Sequence, residues 1–98
     1  MEEIQAINLI AFNPEIRSGR AVVAGTGVCV LDIVMIKLFQ NQDVDGLASW
    51  FDLTLAQVHA ALAYYYQNKT ALDLEIREQL AKAQEFEAKR IGSRTLEF

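Results

Sequence analysis

Cysteine, histidine and proline are almost missing from this chain of 98 residues, which contains one of each. With Cys29 as the only cysteine, a disulfide within the chain is excluded. With His59 as the only histidine, neither a Cys/His metal cluster nor a histidine-based catalytic triad can be assembled. One proline and five glycines, against 52% apolar residues, exclude a disordered or low-complexity chain. We therefore expect a folded domain that binds no metal or cofactor and is not an enzyme.

Positive charge is also scarce, because nine Lys and Arg residues stand against thirteen Asp and Glu residues. General binding to a phosphate backbone depends on clustered Lys and Arg, so it is excluded as the main activity. The acidic start Met1-Glu2-Glu3 lacks the positive charge of a signal peptide, and no apolar run approaches the roughly 20 residues of a membrane span. We expect a protein of the reducing cytoplasm that does not enter a membrane.

The N-terminal third of the chain has patterns typical of short strands. Residues 4–12 are rich in Ile and Leu and end at Asn13-Pro14, which predicts a strand closed by a turn. Two further β-rich pieces, residues 19–24 and 28–30, flank Gly25-Thr26-Gly27. This Gly-Thr-Gly segment lacks the Gly-Lys-Ser/Thr end of a phosphate-binding loop, so we interpret it as a structural turn.

Helical periodicity begins after Val30. Apolar residues from Leu31 onward recur at spacings of three and four, which predicts a buried helix ending near Asn41. Asp43 is predicted to cap a second, short helix, and Trp50 on that helix is expected in the core.

The strongest local pattern is Thr54-Leu55-Ala56-Gln57, a capping box that opens a third helix running to about Gln67. Two helices joined by about three residues form a helix-turn-helix pattern. The fold class that follows is α+β and mainly α: a helix-turn-helix or winged-helix-like core with short N-terminal strands, predicted over residues 1–69.

A long amphipathic helix is predicted at the C-terminal end. Thr70 is interpreted as its N-cap, Arg90 as its approximate end and Gly92 as its stop signal, which gives a helical segment over 70–92 and a tail over 93–98. Five apolar residues form a stripe along one side of this helix: Leu72, Ile76, Leu80, Ala83 and Phe86. Two interpretations of residues 70–92 stay open: part of the stripe folds back on the domain as one folding unit, or the stripe docks on a partner. We favour a second subunit or another protein as the covering surface, because the other helices already supply apolar partners for one another.

Two segments of the chain together resemble a known family. The first is similar to a signature that runs Pro-x-Ile-x-x-Gly-(Lys/Arg)-Pro-x-Ile-x-Gly-Thr-(Arg/Gly)-x-x-Val. It falls on Pro14, Ile16, Gly19, Arg20, Val23, Gly25, Thr26, Gly27 and Val30. The second is similar to Leu-Thr-x-x-x-Val-x-x-Ala-Leu-x-Tyr, matched by Leu53, Thr54, Val58, Ala61, Leu62 and Tyr64. The family is the bacterial domain-of-unknown-function family 433, whose members are predicted antitoxins.

The resemblance implies a winged-helix-like domain that self-associates, with a homodimer favoured, and that pairs with a nuclease-like toxin of the PIN superfamily. The chain departs from the family pattern at two positions. Ala21 stands where the family usually has Pro, and Gly27 stands where many members have Arg. If that Arg contacts phosphate in other members, this chain has lost the contact.

Binding to operator DNA is the second activity that a helix-turn-helix suggests, since its second helix enters the major groove. The candidate contacts are Arg17, Arg20, Thr54, Gln57 and His59. However, residues 55–67 contain no Lys or Arg, and seven acids within the first 69 residues outnumber the four bases there. We therefore expect weak DNA binding by the protein alone.

Three functions remain open from the sequence. The leading hypothesis is an antitoxin-like binding protein that docks a toxin and regulates its own operon. The runner-up is a helix-turn-helix transcriptional regulator without a toxin partner. The most remote is a calcium-binding module, since a loose calcium-loop pattern falls on Asn41, Asp43, Asp45, Gly46, Ser49 and Asp52.

Overall fold

The computed structural model describes residues 8–12, 14–15 and 19–96, with side chains as far as residue 88. The described residues contain two strands, β1 (Ile10–Phe12) and β2 (Ala21–Val23). They also contain four helices: α1 (Val30–Phe39), α2 (Val44–Phe51), α3 (Leu55–Gln67) and α4 (Lys69–Leu96). The chain divides into two compact units, residues 1–68 and residues 69–98. The predicted class, α+β and mainly α, is confirmed.

The first unit begins with a small antiparallel sheet. Ile10 is paired with Val23 and Phe12 with Ala21. On its other side β2 forms an isolated bridge between Val22 and Cys29. The predicted strand over 4–12 is therefore present at its C-terminal end, while residues 4–7 lie outside the described residues.

The turn after β2 is held by Thr26. Its hydroxyl donates to the carbonyl of Val23 at 2.8 Å and accepts from the amide of Val28 at 3.1 Å. The Val23 amide donates to the Val28 carbonyl at 2.9 Å, which closes the turn. Gly25 has φ of 79°, a conformation that side chains with a Cβ rarely adopt. Every role seen for this segment is structural.

Helices α2 and α3 form a helix-turn-helix, and local side-chain caps explain where each helix begins. The Asp43 carboxylate accepts from the Gly46 amide at 2.8 Å, so Asp43 caps α2 as predicted. At the end of α2, Asp52 adopts the left-handed conformation with φ of 56° and turns the chain toward α3. The Thr54 hydroxyl then accepts from the Gln57 amide at 3.1 Å, and Gln57 Oε1 accepts from the Thr54 amide at 2.8 Å. The predicted capping box is confirmed.

The core of the first unit lies where α1, α2, α3 and β2 pack together. All three side chains of β2 are buried, because β2 is paired on both edges and also packs against α1 and α3. The largest fully buried side chains are Val22, Val23, Cys29, Val30, Ile33, Val34, Leu47 and Val58. Trp50 is 53% exposed, so the expectation that it lies in the core is wrong. On the two-turn helix α2 only Leu47 is buried, and Trp50, about 60° further around the helix, lies at the margin of that buried side.

The second unit consists of α4, which is longer than predicted. Because the helix starts at Lys69, Thr70 lies inside its first turn and is not the cap residue. Gly92 does not end the helix, which continues to Leu96 through the predicted tail. A single glycine costs only about 1 kcal/mol inside a helix, and no proline follows it to force a stop. Within the described residues, no helix is both long and apolar enough to cross a membrane.

Candidate functional site

Helix α3 has two faces of different character. Val58, Ala61, Leu62 and Tyr65 are buried and hold the helix to the core. On another side of the helix, Ala56, Ala60 and Ala63 recur at spacings of four and three beside the exposed His59 and Gln67. A DNA-reading helix presents long polar or basic side chains to the groove. This face of α3 is instead built of small apolar side chains.

A groove of about 620 Å³ lies between the start of β1 and α3, inside the first unit. It is lined by Leu9, Ile10, Ala56, His59, Ala60, Ala63, Tyr64 and Gln67, a set that contains no Asp, Glu, Lys or Arg. The Phe12 and Tyr64 rings meet edge to face at 5.8 Å and connect β1 to α3. This groove was not predicted, since its two walls are about 50 residues apart in the chain. The spacing of Ala56, Ala60 and Ala63 is the one local feature that could have indicated a close approach to α3.

The five candidate DNA contacts do not form one surface. Thr54 and Gln57 are brought together, but their side-chain oxygens accept each other's backbone amides in the capping box. Arg20 is exposed directly before β2, and His59 lines the groove beside β1. Arg17 lies outside the described residues. The helix-turn-helix shape is thus present without a concentration of basic side chains on α3.

The candidate partner-binding stripe lies on α4. Its five residues fall within an arc of about 120° on a helix with 3.6 residues per turn. Leu72 and Ile76 are buried, whereas Ala83 is exposed and Leu80 and Phe86 are 36% and 64% exposed. Lys69 and Asp73 form a salt bridge of 2.7 Å on the first turn. Within the stripe, the second half therefore presents its large side chains, Leu80 and Phe86, to solvent.

The segment proposed as a calcium loop folds differently. Residues 44–51 form α2, and the Asp43 carboxylate is engaged as the helix cap, so most of the segment is helical and not a loop. Across the described part of the chain, no group of three or more His, Cys, Asp or Glu side chains could hold a metal ion. The calcium interpretation has no geometric support from these residues.

In a comparison with protein families, the model of a protein of unknown function (DUF433) matches residues 10–65. Comparisons with curated proteins and with solved structures found no match. The matched range begins at β1 and ends two residues before the end of α3. It therefore contains the sheet, the helix-turn-helix and most of the groove, and it stops before α4.

Proposed function

The chain belongs to the DUF433 family, and from this premise we propose that it is an antitoxin-like binding protein that docks a nuclease-like toxin of the PIN superfamily. The proposal includes self-association, a winged-helix-like role for the first unit and regulation of the protein's own operon. The family resemblance supports these roles, and the surfaces described above support binding over catalysis.

The observation that carries the proposal is α4. A helix of 28 residues is about 42 Å long, and near its middle Leu80 and Phe86 are exposed on one side. Amphipathic helices of this kind bind proteins by placing apolar anchors at spacings of three and four into a groove of the partner. Because α4 follows the family-matched residues, it is suited to carry the contact that selects one toxin.

Operon regulation is proposed for the complex and not for the protein alone. The exposed face of α3 carries no Lys or Arg, and the net charge of the chain is −4. Phosphate contacts supply most of the non-specific affinity of DNA-binding proteins. A toxin with basic surface groups, or a second copy that doubles the number of Arg20 contacts, would supply what one chain lacks.

The test is co-purification and toxin neutralisation. The neighbouring reading frame is inspected for a small nuclease-like protein, which is co-expressed with this chain and assayed for RNA cleavage. We expect a stable complex with suppressed cleavage. The double variant Leu80→Glu plus Phe86→Glu should lose at least about 30-fold in affinity, since one binding hot spot contributes about 2 kcal/mol.

The matched control is Ala81→Glu plus Ala88→Glu, which adds the same charge at exposed positions on the opposite side of α4. We expect this control to bind and neutralise as the wild type does. Equal loss in both variants would show that net charge, not the stripe, governs docking. A toxin that is neutralised equally by all three proteins would refute the role of α4.

A further inference from the structure

The outer edge of β1 is the side of this strand that does not face β2. In contrast to β1, β2 has both edges engaged, with β1 on one side and with Val28 and Cys29 on the other. In the described part of the chain, no strand pairs with the outer edge of β1. An exposed strand edge is a ready template for pairing with another chain.

The hydrogen-bond pattern identifies which backbone groups point toward this edge. The Ala24 amide donates to the Leu9 carbonyl at 2.8 Å, so Leu9 faces β2. Residues alternate in an antiparallel ladder between pairs that exchange hydrogen bonds and pairs that do not. Ala11 therefore also faces β2, and the N–H and C=O groups of Ile10 and Phe12 point outward. The Val23 amide, opposite Ile10, confirms the alternation because it donates away from β1 to Val28.

We propose that a second copy of this chain pairs its own β1 antiparallel to the outer edge of β1, joining the two sheets into one of four strands. With Ala11 on the two-fold axis, Ile10 of each copy is opposite Phe12 of the other. Each of these two pairs exchanges two backbone hydrogen bonds. The inference specifies the surface for the self-association included in the proposed function, and it uses no residue of α4.

Side-chain complementarity is the reason for choosing a second copy as the occupant. The Phe12 side chain is 61% exposed, and Ile10 lines the groove on α3. Pairing would place Phe12 of each copy against Ile10 of the other, and aromatic with β-branched is a favourable cross-strand pair. Ala11, the smallest of the three residues, occupies the axis, where the backbones come closest.

Charge also favours a second copy. Two chains of net charge −4 repel each other, so a self-associating surface must be free of acidic side chains where the copies meet. β1 has none, and the groove beside it has neither Asp and Glu nor Lys and Arg. The surface is self-compatible in charge, and a two-fold axis makes it self-complementary in hydrogen bonding.

The experiment is amide hydrogen exchange of the full chain by NMR at two concentrations, beside sedimentation of the same samples. The Ala11 amide, which faces β2, is the internal control. We expect a dimer at high concentration with protected Ile10 and Phe12 amides. About a hundredfold dilution of a mostly dimeric sample raises the monomer fraction about tenfold by mass action, so these two amides should exchange about tenfold faster while Ala11 is unchanged.

Three results would overturn the proposal. The first is a protein that is monomeric at the highest concentration, with fast exchange at Ile10 and Phe12. The second is protection of these amides that does not change on dilution, because the same chain would then cover its own edge. The third is a dimer whose Ile10 and Phe12 amides exchange freely, which would place self-association on another surface. None of these results bears on toxin docking by α4, so the two proposals fail separately.

Charge variants at the axis give a second test. Ala11→Lys places two like charges opposite each other in the dimer, and Ala11→Glu does the same. Each variant alone should be monomeric, and an equimolar mixture should recover a heterodimer. The control pair, Ser49→Lys and Ser49→Glu at an exposed position of α2, should remain dimeric. Folded variants that stay dimeric alone, or that do not recover on mixing, would contradict the register; variants that unfold leave the amide-exchange experiment to decide.

Discussion

Removing the Thr54 side chain tests the local argument on which the helix-turn-helix rests. The Thr54 hydroxyl satisfies the Gln57 amide, and Gln57 Oε1 satisfies the Thr54 amide in return. Thr54→Ala deletes the first bond and leaves only the bond from the Thr54 amide to Gln57 Oε1. Both bonds are exposed, so water can replace them in part, and the loss stays below that of a buried hydrogen bond.

We expect Thr54→Ala to lower the free energy of unfolding by about 1 kcal/mol, the usual cost of losing an N-cap hydroxyl. In a domain of this size, 1 kcal/mol corresponds to a fall in Tm of about 4–8 °C. Thr54→Ser retains the acceptor oxygen and should stay within about 0.5 kcal/mol of the wild type. Gln57→Ala should cost less than Thr54→Ala, and the double variant should cost less than the sum, because the two bonds belong to one capping box.

The fluorescence of Trp50 is the signal that reports unfolding. Trp50 is the only tryptophan, and it lies on α2 two residues before the turn that leads to Thr54, so its fluorescence follows unfolding of the first unit. Urea denaturation of the wild type and the four variants gives the free energies directly. A Thr54→Ala variant as stable as the wild type, or a Thr54→Ser variant as unstable as Thr54→Ala, would refute the capping argument.

Three further outcomes follow from the described contacts. Gly25→Ala should cost about 1 kcal/mol because Gly25 has φ of 79°, whereas Gly27→Ala, with open space around it and no positive φ, should be nearly neutral in the same urea assay. Leu47→Ala should lower the free energy of unfolding by about 2–5 kcal/mol, since Leu47 is fully buried between the helices of the first unit; unchanged stability would contradict the assigned core. The purified protein should bind random duplex DNA only weakly at physiological salt, because α3 carries no Lys or Arg. Tight, steeply salt-dependent binding in an anisotropy titration would contradict this expectation.

Features decided by neighbouring residues were predictable from the sequence. The caps at Asp43 and Thr54 join groups three residues apart, so their side chains can be paired from the sequence alone. The turn at Gly25 and Thr26 is equally local. The end of α4 was not predictable in this way, because Gly92 only weakens a helix and its neighbours decide whether the helix continues.

Features that depend on distant segments were not predictable. The groove requires that Leu9 and Ile10 lie beside Ala60 and Ala63, and no local pattern encodes that neighbourhood. The exposure of Trp50 has a similar origin, since an apolar residue on a short helix is buried only if another element covers it. Of the predicted site residues, Thr54 and Gln57 were placed together by their spacing, while the position of His59 in the groove became visible only in the fold.

Pro14, the only proline of the chain, limits the length of strand that the outer edge of β1 offers for cross-β aggregation. It has no N–H to donate, and it lies in the turn that follows β1, so a cross-β ladder cannot extend through it toward the C-terminal side. Steric zippers use segments of six or seven residues without proline, whereas β1 has three residues. Replacing Pro14 with a β-branched residue would lengthen the available edge. Pro14 thus keeps the available edge of β1 shorter than the segments that form steric zippers.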